Sequence, residues 1–253
     1  MQTLPLAARF RRTRRIAALL DVLLLCLIPH LLWRLLRLRS PWPRIFLRLA
    51  TFAVGARTRI IGTPLRKDVF FVANHLSWID ILAMGGVTGT AFVSKDDVGD
   101  MPLVGWLARQ NNTLFISRTR RQDVREQAET LRAALAGHQP VTLFPEGTTG
   151  FGHELLPFKP ALLSVMLPPP RDLRVQPVYI DYGPAAADIA WHEPSLADNA
   201  LRLLTRPGTL TVTLHFLAHF DPRDFADRKA LAAESRKRIA ACLPPIATPP
   251  GTV

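Results

Sequence analysis

The residues best suited to chemistry follow an apolar run, Val69–Ala73, where the chain continues Asn74-His75-Leu76-Ser77-Trp78-Ile79-Asp80. The end of a buried strand is where α/β proteins build their sites. The chemistry on offer is general-base catalysis. A neutral imidazole takes a proton from an attacking hydroxyl, and a carboxylate on its other ring nitrogen fixes the tautomer and stabilises the imidazolium. His75 and Asp80 can meet if His75 lies in a strand-to-helix turn and Asp80 in the first turns of the next helix. On an uninterrupted helix the same offset would rotate them apart. The spacing alone is weak: seven histidines and fourteen aspartates in 253 residues give roughly 0.4 chance matches. Indeed, His219 and Asp224 repeat it.

Further candidates follow in order. Phe115-Ile116-Ser117-Arg118 closes one apolar run on a cation, and an arginine there can grip a phosphate or carboxylate with two parallel bonds. Phe144-Pro145-Glu146-Gly147-Thr148-Thr149 follows another run. Gly147 lets the backbone approach a ligand closely, and Glu146 can accept hydrogen bonds from ligand hydroxyls. Gln176-Pro177-Val178 interrupts a further apolar run. Each has a purely structural alternative: a surface ion pair for Arg118, a plain turn for Pro-Glu-Gly-Thr, an edge strand for Pro177.

The elements that must position these residues are short β-rich runs alternating with helix-like segments, which specify a single α/β domain. Strands are expected at Thr58–Ile61, Val69–Ala73, Ala91–Ser94, Thr113–Ser117, Val141–Phe144, Leu173–Ile180 and Leu210–Leu217. Helices are expected over Gln122–Ala136, with Val124, Ala128, Leu131 and Leu135 on one face and Gly137 as its C-cap, and around Leu196–Leu204 and Arg223–Ala241. The tail, 244–253, reads as unstructured. Cys26 and Cys242 form no C-x-x-C pair, so no zinc ribbon or disulfide framework is indicated and a reducing, cytosol-facing location fits.

The charge is lopsided. Residues 1–59 carry twelve arginines against Asp21 alone, a net +11 of the chain's +12, so the remaining body is close to neutral. The same segment holds the most apolar stretch, Ile16–Trp33, interrupted by Asp21, Pro29 and His30 and just long enough to span a bilayer. Arginines at both ends give no orientation for a single crossing; a hairpin, or a helix lying in one leaflet, fits that symmetry better. Ser40-Pro41-Trp42-Pro43 forces a break, and Ile45, Phe46, Leu49 and Phe52 then recur at helical spacing. Residues 1–56 thus read as membrane-associated helices drawn to an anionic membrane surface. A cleaved signal peptide is disfavoured because no A-x-A-like site precedes the proline break, and a plain buried helix because the flanking arginines would sit at the core's rim.

Taken in order, His75-x4-Asp80, Phe115-Ile116-x-Arg118, Phe144-Pro145-Glu146-Gly147-Thr148 and Gln176-Pro177-Val178 resemble the four motifs of the glycerolipid acyltransferases, specifically the bacterial 1-acylglycerol-3-phosphate acyltransferases. The resemblance covers about Arg57 to Asp224. It implies a mixed sheet flanked by helices over 57–243, preceded by an N-terminal membrane-docking helical pair. It further implies His75 as base, Asp80 as its partner, and Arg118, Glu146 and Gly147, with Thr148 beside them, as the acceptor site. Lys95, followed by Pro102 and Gly105, looks like the family's lysine ahead of the second motif and is a second candidate phosphate ligand. Asn112 and Pro160 depart from the family by standing where glycine is frequent. Asp188-Ile189-Ala190-Trp191-His192-Glu193 looks more like the branch that acylates lyso-ornithine lipid.

The expected activity is therefore transfer of a fatty acyl group from acyl-CoA or acyl-carrier protein to the sn-2 hydroxyl of 1-acylglycerol-3-phosphate, at the cytoplasmic face of the inner membrane. No cofactor or metal is expected in it. Lyso-ornithine lipid is the alternative acceptor, and a catalytically silent peripheral membrane protein the alternative of another class. A nucleic-acid binder is disfavoured by the near-neutral body, and a serine hydrolase by the lack of a G-x-S-x-G elbow.

Overall fold

The structure is a computed structural model that describes residues 4–116, 123–152, 154–191 and 195–244. Two helices come first, α1 (Leu6–Leu35) and α2 (Trp42–Ala53). Among the described residues there are seven strands, β1 (Ala56–Ile61), β2 (Val69–Ala73), β3 (Ala91–Lys95), β4 (Leu114–Ile116), β5 (Val141–Leu143), β6 (Arg174–Asp181) and β7 (Leu210–Phe216). Between and after them lie α3 (Ile79–Thr88), α4 (Asp96–Gly99), α5 (Pro102–Gln110), α6 (Asp123–Ala136), α7 (Ala186–Ile189), α8 (Leu196–Thr205) and α9 (Arg228–Ala240). Every expected strand is present within a residue or two. Ser117, Gln122 and 245–253 of the expected elements lie outside the described residues. The last helix starts five residues later than expected, because Pro222–Asp224 forms a separate 3₁₀ turn and Asp227 caps α9 through the amides of Lys229 and Ala230.

The strands form one mixed sheet in the order β1-β7-β6-β2-β5-β3-β4. From β6 across to β4 all pairings are parallel, whereas β7 runs antiparallel to β6 and β1 parallel to β7. The run Val-Phe-Phe-Val-Ala of β2 is buried throughout, as a strand covered on both faces requires. Its side chains alternate between two cores: Phe71 and Ala73 join Met84, Phe92 and Leu214 on one face, Phe70 and Val72 join Leu131, Leu135 and Leu231 on the other. Gln176-Pro177 lies on β6, which has a neighbour on each side, so Pro177 does not mark an edge. The buried Gln176 side chain accepts from Leu65 N–H and donates to the carbonyls of Thr63 and Leu217, tying together the chain around β6.

Helix α1 is continuous through Pro29 and takes in the arginine-rich start that was expected to precede the helix. It is long and apolar enough to cross a membrane, and its apolar window is only 11% buried. Leu20, Leu24, Leu25, Ile28, Leu31, Leu32 and Leu35 are all exposed. The arginines of this segment are not all directed outward, however. Arg15 is buried and donates to the carbonyls of Leu203, Leu204, Arg206 and Gly208 at 2.9–3.2 Å, while Arg11 donates to Thr205 O at 3.0 Å. Arg44 of α2 donates to Val87 O at 2.6 Å. A helix ends with unpaired carbonyls and partial negative charge, so these arginines cap α8 and α3 from outside. Helix α2 also lies close against α3: a Cβ on Gly86 would fall 2.7 Å from Arg48 Cα.

Replacing Arg15 by Met leaves several buried carbonyls unpaired, and the detergent-solubilised variant should lose on the order of 2 kcal/mol of stability. The exposed neighbour substitution Arg14→Met should lose almost none. Equal thermal midpoints for the two variants would contradict this account of the α1–α8 junction.

Candidate active site

The chain leaves β2 at Ala73 and enters α3 at Ile79 through a short turn that holds His75. Asn74 fixes the mouth of that turn: its amide donates to Ile180 O at 3.0 Å and its oxygen accepts from Ile180 N–H at 2.7 Å. Asp80, in the first turn of α3, is wholly buried and points back into the loop. One carboxylate oxygen accepts from His75 Nδ1 at 2.8 Å and from the amides of Leu76 and Ser77 at 2.7 and 2.9 Å. The other accepts from Tyr182 Oη. The turn thus brings together the pair that a continuous helix would have separated. His219 and Asp224, the second pair of equal spacing, are both exposed.

Because Asp80 takes Nδ1, the nitrogen left for chemistry is Nε2. The imidazole stacks on Phe144 with centroids 4.2 Å apart and planes 18° from parallel, and it is 19% exposed, enough to be reached from one side. Burial, then the neighbouring Asp80 carboxylate, hold the Tyr182 phenol well above its usual pKa, so Tyr182 stays a donor.

His75 lines a cavity of about 840 Å³ along the C-terminal ends of β2, β5 and β3. Lys95, Gly147 and Thr148 line it too. Its apolar wall includes Phe92, Ile116, Leu162 and Leu196. Gly147 has φ +73°, a conformation that glycine adopts without strain, and its amide bonds Phe144 O at 3.0 Å to close the turn. Arg118 lies outside the described residues, as do His192 and Glu193.

Glu146 lies behind the cavity wall rather than on it. It is buried at 3% exposure; its two oxygens accept the backbone amides of His75 at 3.1 Å and Leu156 at 3.2 Å. Through these two bonds the carboxyl braces the loop that carries His75. Burial pushes its pKa up to about 7, against the pull of the two amide bonds. The two departures from the family pattern are accommodated. Asn112 takes φ +58°, a left-handed conformation that asparagine tolerates better than most residues. Pro160, with φ −80°, opens the 3₁₀ turn Ala161–Met166.

Tyr182, Phe144 and Lys159 escaped the sequence reading as site residues. Tyr182 lies 102 positions from Asp80 and one past β6, so no local spacing signals it. Lys159 also lines the cavity, and its amide bonds Pro145 O at 2.8 Å.

A histidine backed by a buried carboxylate at an apolar-walled cavity could serve acyl transfer to a hydroxyl. A family model described as Acyltransferase matches residues 57–181. A lyso-ornithine lipid O-acyltransferase from Rhodobacter capsulatus is 33% identical over 90% of this chain and 88% of its own length. A 1-acyl-sn-glycerol-3-phosphate acyltransferase from Neisseria gonorrhoeae is 31% identical over 76% of each chain. The crystal structure of the 1-acyl-sn-glycerophosphate (LPA) acyltransferase PlsC from Thermotoga maritima superposes with a TM-score of 0.63 at 22% identity, covering 91% of this chain and 95% of that one, and shares the fold. The chain belongs to the PlsC-like acyltransferase family. Within it, the protein is an acyltransferase of the group that spans lysophosphatidic acid and lyso-ornithine lipid enzymes.

Two outcomes follow from the geometry. Tyr182→Phe removes one donor from Asp80 and should lower kcat about tenfold with KM unchanged; wild-type kcat would show that the phenol does not position the pair. For Glu146, the folded pKa of about 7 exceeds the ordinary 4.5, so the folded state binds the proton more tightly. Its contribution to stability therefore falls as pH rises from about 4.5 to about 7 and is level above that. The thermal midpoint of wild type relative to Glu146→Gln should drop between pH 5 and pH 8, and a pH-independent difference would contradict the shift.

Proposed function

We propose that the protein moves a fatty acyl group from a thioester donor, acyl-CoA or acyl-carrier protein, to the free hydroxyl of lyso-ornithine lipid. The observation that carries the chemistry is the His75 imidazole at the cavity wall with Nδ1 held by Asp80. Nε2 accepts the proton of the acceptor hydroxyl as its oxygen attacks the thioester carbonyl. The resulting imidazolium, stabilised by Asp80, returns the proton to the departing thiolate as the tetrahedral intermediate collapses. No covalent acyl-enzyme is required. Lys95 and Arg118 receive the acceptor's anionic group, Gly147 and Thr148 line its path, and Glu146 acts through the backbone of His75.

The acceptor assignment is supported by relatives from Rhodobacter capsulatus and Rhizobium meliloti, both named lyso-ornithine lipid O-acyltransferases and both 33% identical, over 90% and 87% of this chain. The second reading, transfer to 1-acylglycerol-3-phosphate to give phosphatidic acid, is favoured by the Neisseria relative. Either lipid is reached from a membrane. The exposed apolar residues of α1 and the flanking arginines support docking on the cytoplasmic leaflet of the inner membrane, where burial of that face replaces its exposure to water.

Purified full-length protein in mixed micelles should be given lyso-ornithine lipid and 1-acylglycerol-3-phosphate separately, each with acyl-CoA and with acyl-carrier protein. The expected result is a kcat/KM at least tenfold higher for lyso-ornithine lipid. Phosphatidic acid as the dominant product would overturn the acceptor assignment in favour of the second reading. Silence in all four combinations would overturn acyl transfer between these partners and favour a membrane protein without this activity.

A further inference from the structure

The charges on the cavity wall do not all have one sign. Among the described residues, Lys95, Lys159 and Asp97 are its fully charged side chains. None of the three forms an ion pair with a described residue, so the cavity presents two cations and one anion that are not neutralised by one another. A phosphate monoester carries negative charge only and gains nothing from a carboxylate nearby. The ornithine head group carries a carboxylate and an ammonium, and a site with both signs complements it.

The carboxylate is exposed at the cavity wall, on a segment that is itself anchored. Asp97 Oδ1 accepts the Val98 amide at 2.9 Å, which leaves Oδ2 free of a described partner. Its short helix α4 is clamped on both sides. A Cβ on Gly105 of α5 would collide with the Gly99 carbonyl, and one on Gly99 would fall 3.0 Å from the Phe115 ring on β4. Lys159 is tied through its amide to Pro145 in the loop after β5, and Lys95 ends β3. All three charges therefore project from segments anchored to the sheet.

We propose that Asp97 is a specificity-determining residue that receives the ammonium of a zwitterionic amino-acid lysolipid while Lys159 joins Lys95 and Arg118 in receiving its carboxylate. The inference rests on the acceptor assignment above. It adds a residue that selects for the ammonium and against a purely anionic head group.

The test is the steady-state kinetics of full-length Asp97→Asn on lyso-ornithine lipid and on 1-acylglycerol-3-phosphate. Asp96→Asn, one residue away and outside the cavity wall, removes the same charge as a control. Asp97→Asn should raise KM for lyso-ornithine lipid about tenfold with kcat within about twofold, and leave KM for the phosphate acceptor unchanged or lower. Asp96→Asn should leave both acceptors within about twofold, and Asp97→Glu should restore most of the lost preference. Parallel changes on both acceptors, or an Asp97→Asn protein indistinguishable from Asp96→Asn, would overturn the role of Asp97 alone. Wild-type enzyme active only on the phosphate acceptor would overturn the acceptor assignment and this inference with it.

Discussion

The site depends on where one carboxylate sits. Asp80 lies at the start of α3 with no exposure to solvent, and it accepts from the His75 ring, two turn amides and Tyr182. A buried carboxylate without partners is costly, so the polypeptide around it has to supply donors. The six residues from His75 to Asp80 can do so only by forming a tight turn with its amides directed inward. That turn brings the imidazole over Phe144 with Nδ1 committed and Nε2 turned to chemistry. Glu146 completes the arrangement from the opposite side by accepting the His75 amide. Two carboxylates therefore hold one histidine, one through its ring and one through its backbone.

The N-terminal helices are part of the same construction. Helix α2 packs on α3, which carries Asp80, and Arg44 caps the carbonyl end of α3. Helix α1 caps α8 through Arg15, and the first turn of α8 supplies Leu196 to the cavity. Trp78 and Asn199 join α3 to α8 directly at 3.0 Å. The helix with the largely exposed apolar face is thus anchored by its arginine caps to α8, and its neighbour α2 is anchored by another to α3.

The strands were legible because their apolar runs are short, β-branched or aromatic, and separated by clear turn residues; β2 is the plainest case. The His75–Asp80 pair was legible as a possibility that required a turn, and the turn is there. Helices α4 and α5 were not, since Gly99, Pro102 and Gly105 break the helical pattern while serving close packing. Tyr182 was hidden because its partner lies far away in sequence. The bracing bonds of Glu146 were hidden for a related reason: Pro-Glu-Gly-Thr has the composition of a ligand-binding turn, and only the tertiary fold brings the amides of His75 and Leu156 to its two oxygens. The arginines of residues 1–59 were read as one basic surface, whereas Arg11, Arg15 and Arg44 satisfy helix ends.

The most direct test of the dyad is single-turnover acyl transfer by His75→Ala, in the same micelles and with the thermal midpoint measured in parallel. General-base catalysis by His75 requires that the variant remain folded and bind acceptor while the rate of transfer falls by at least about a hundredfold. A folded His75→Ala enzyme that transfers acyl groups at the wild-type rate would contradict the assignment of the base and, with it, the role of Asp80 as its partner.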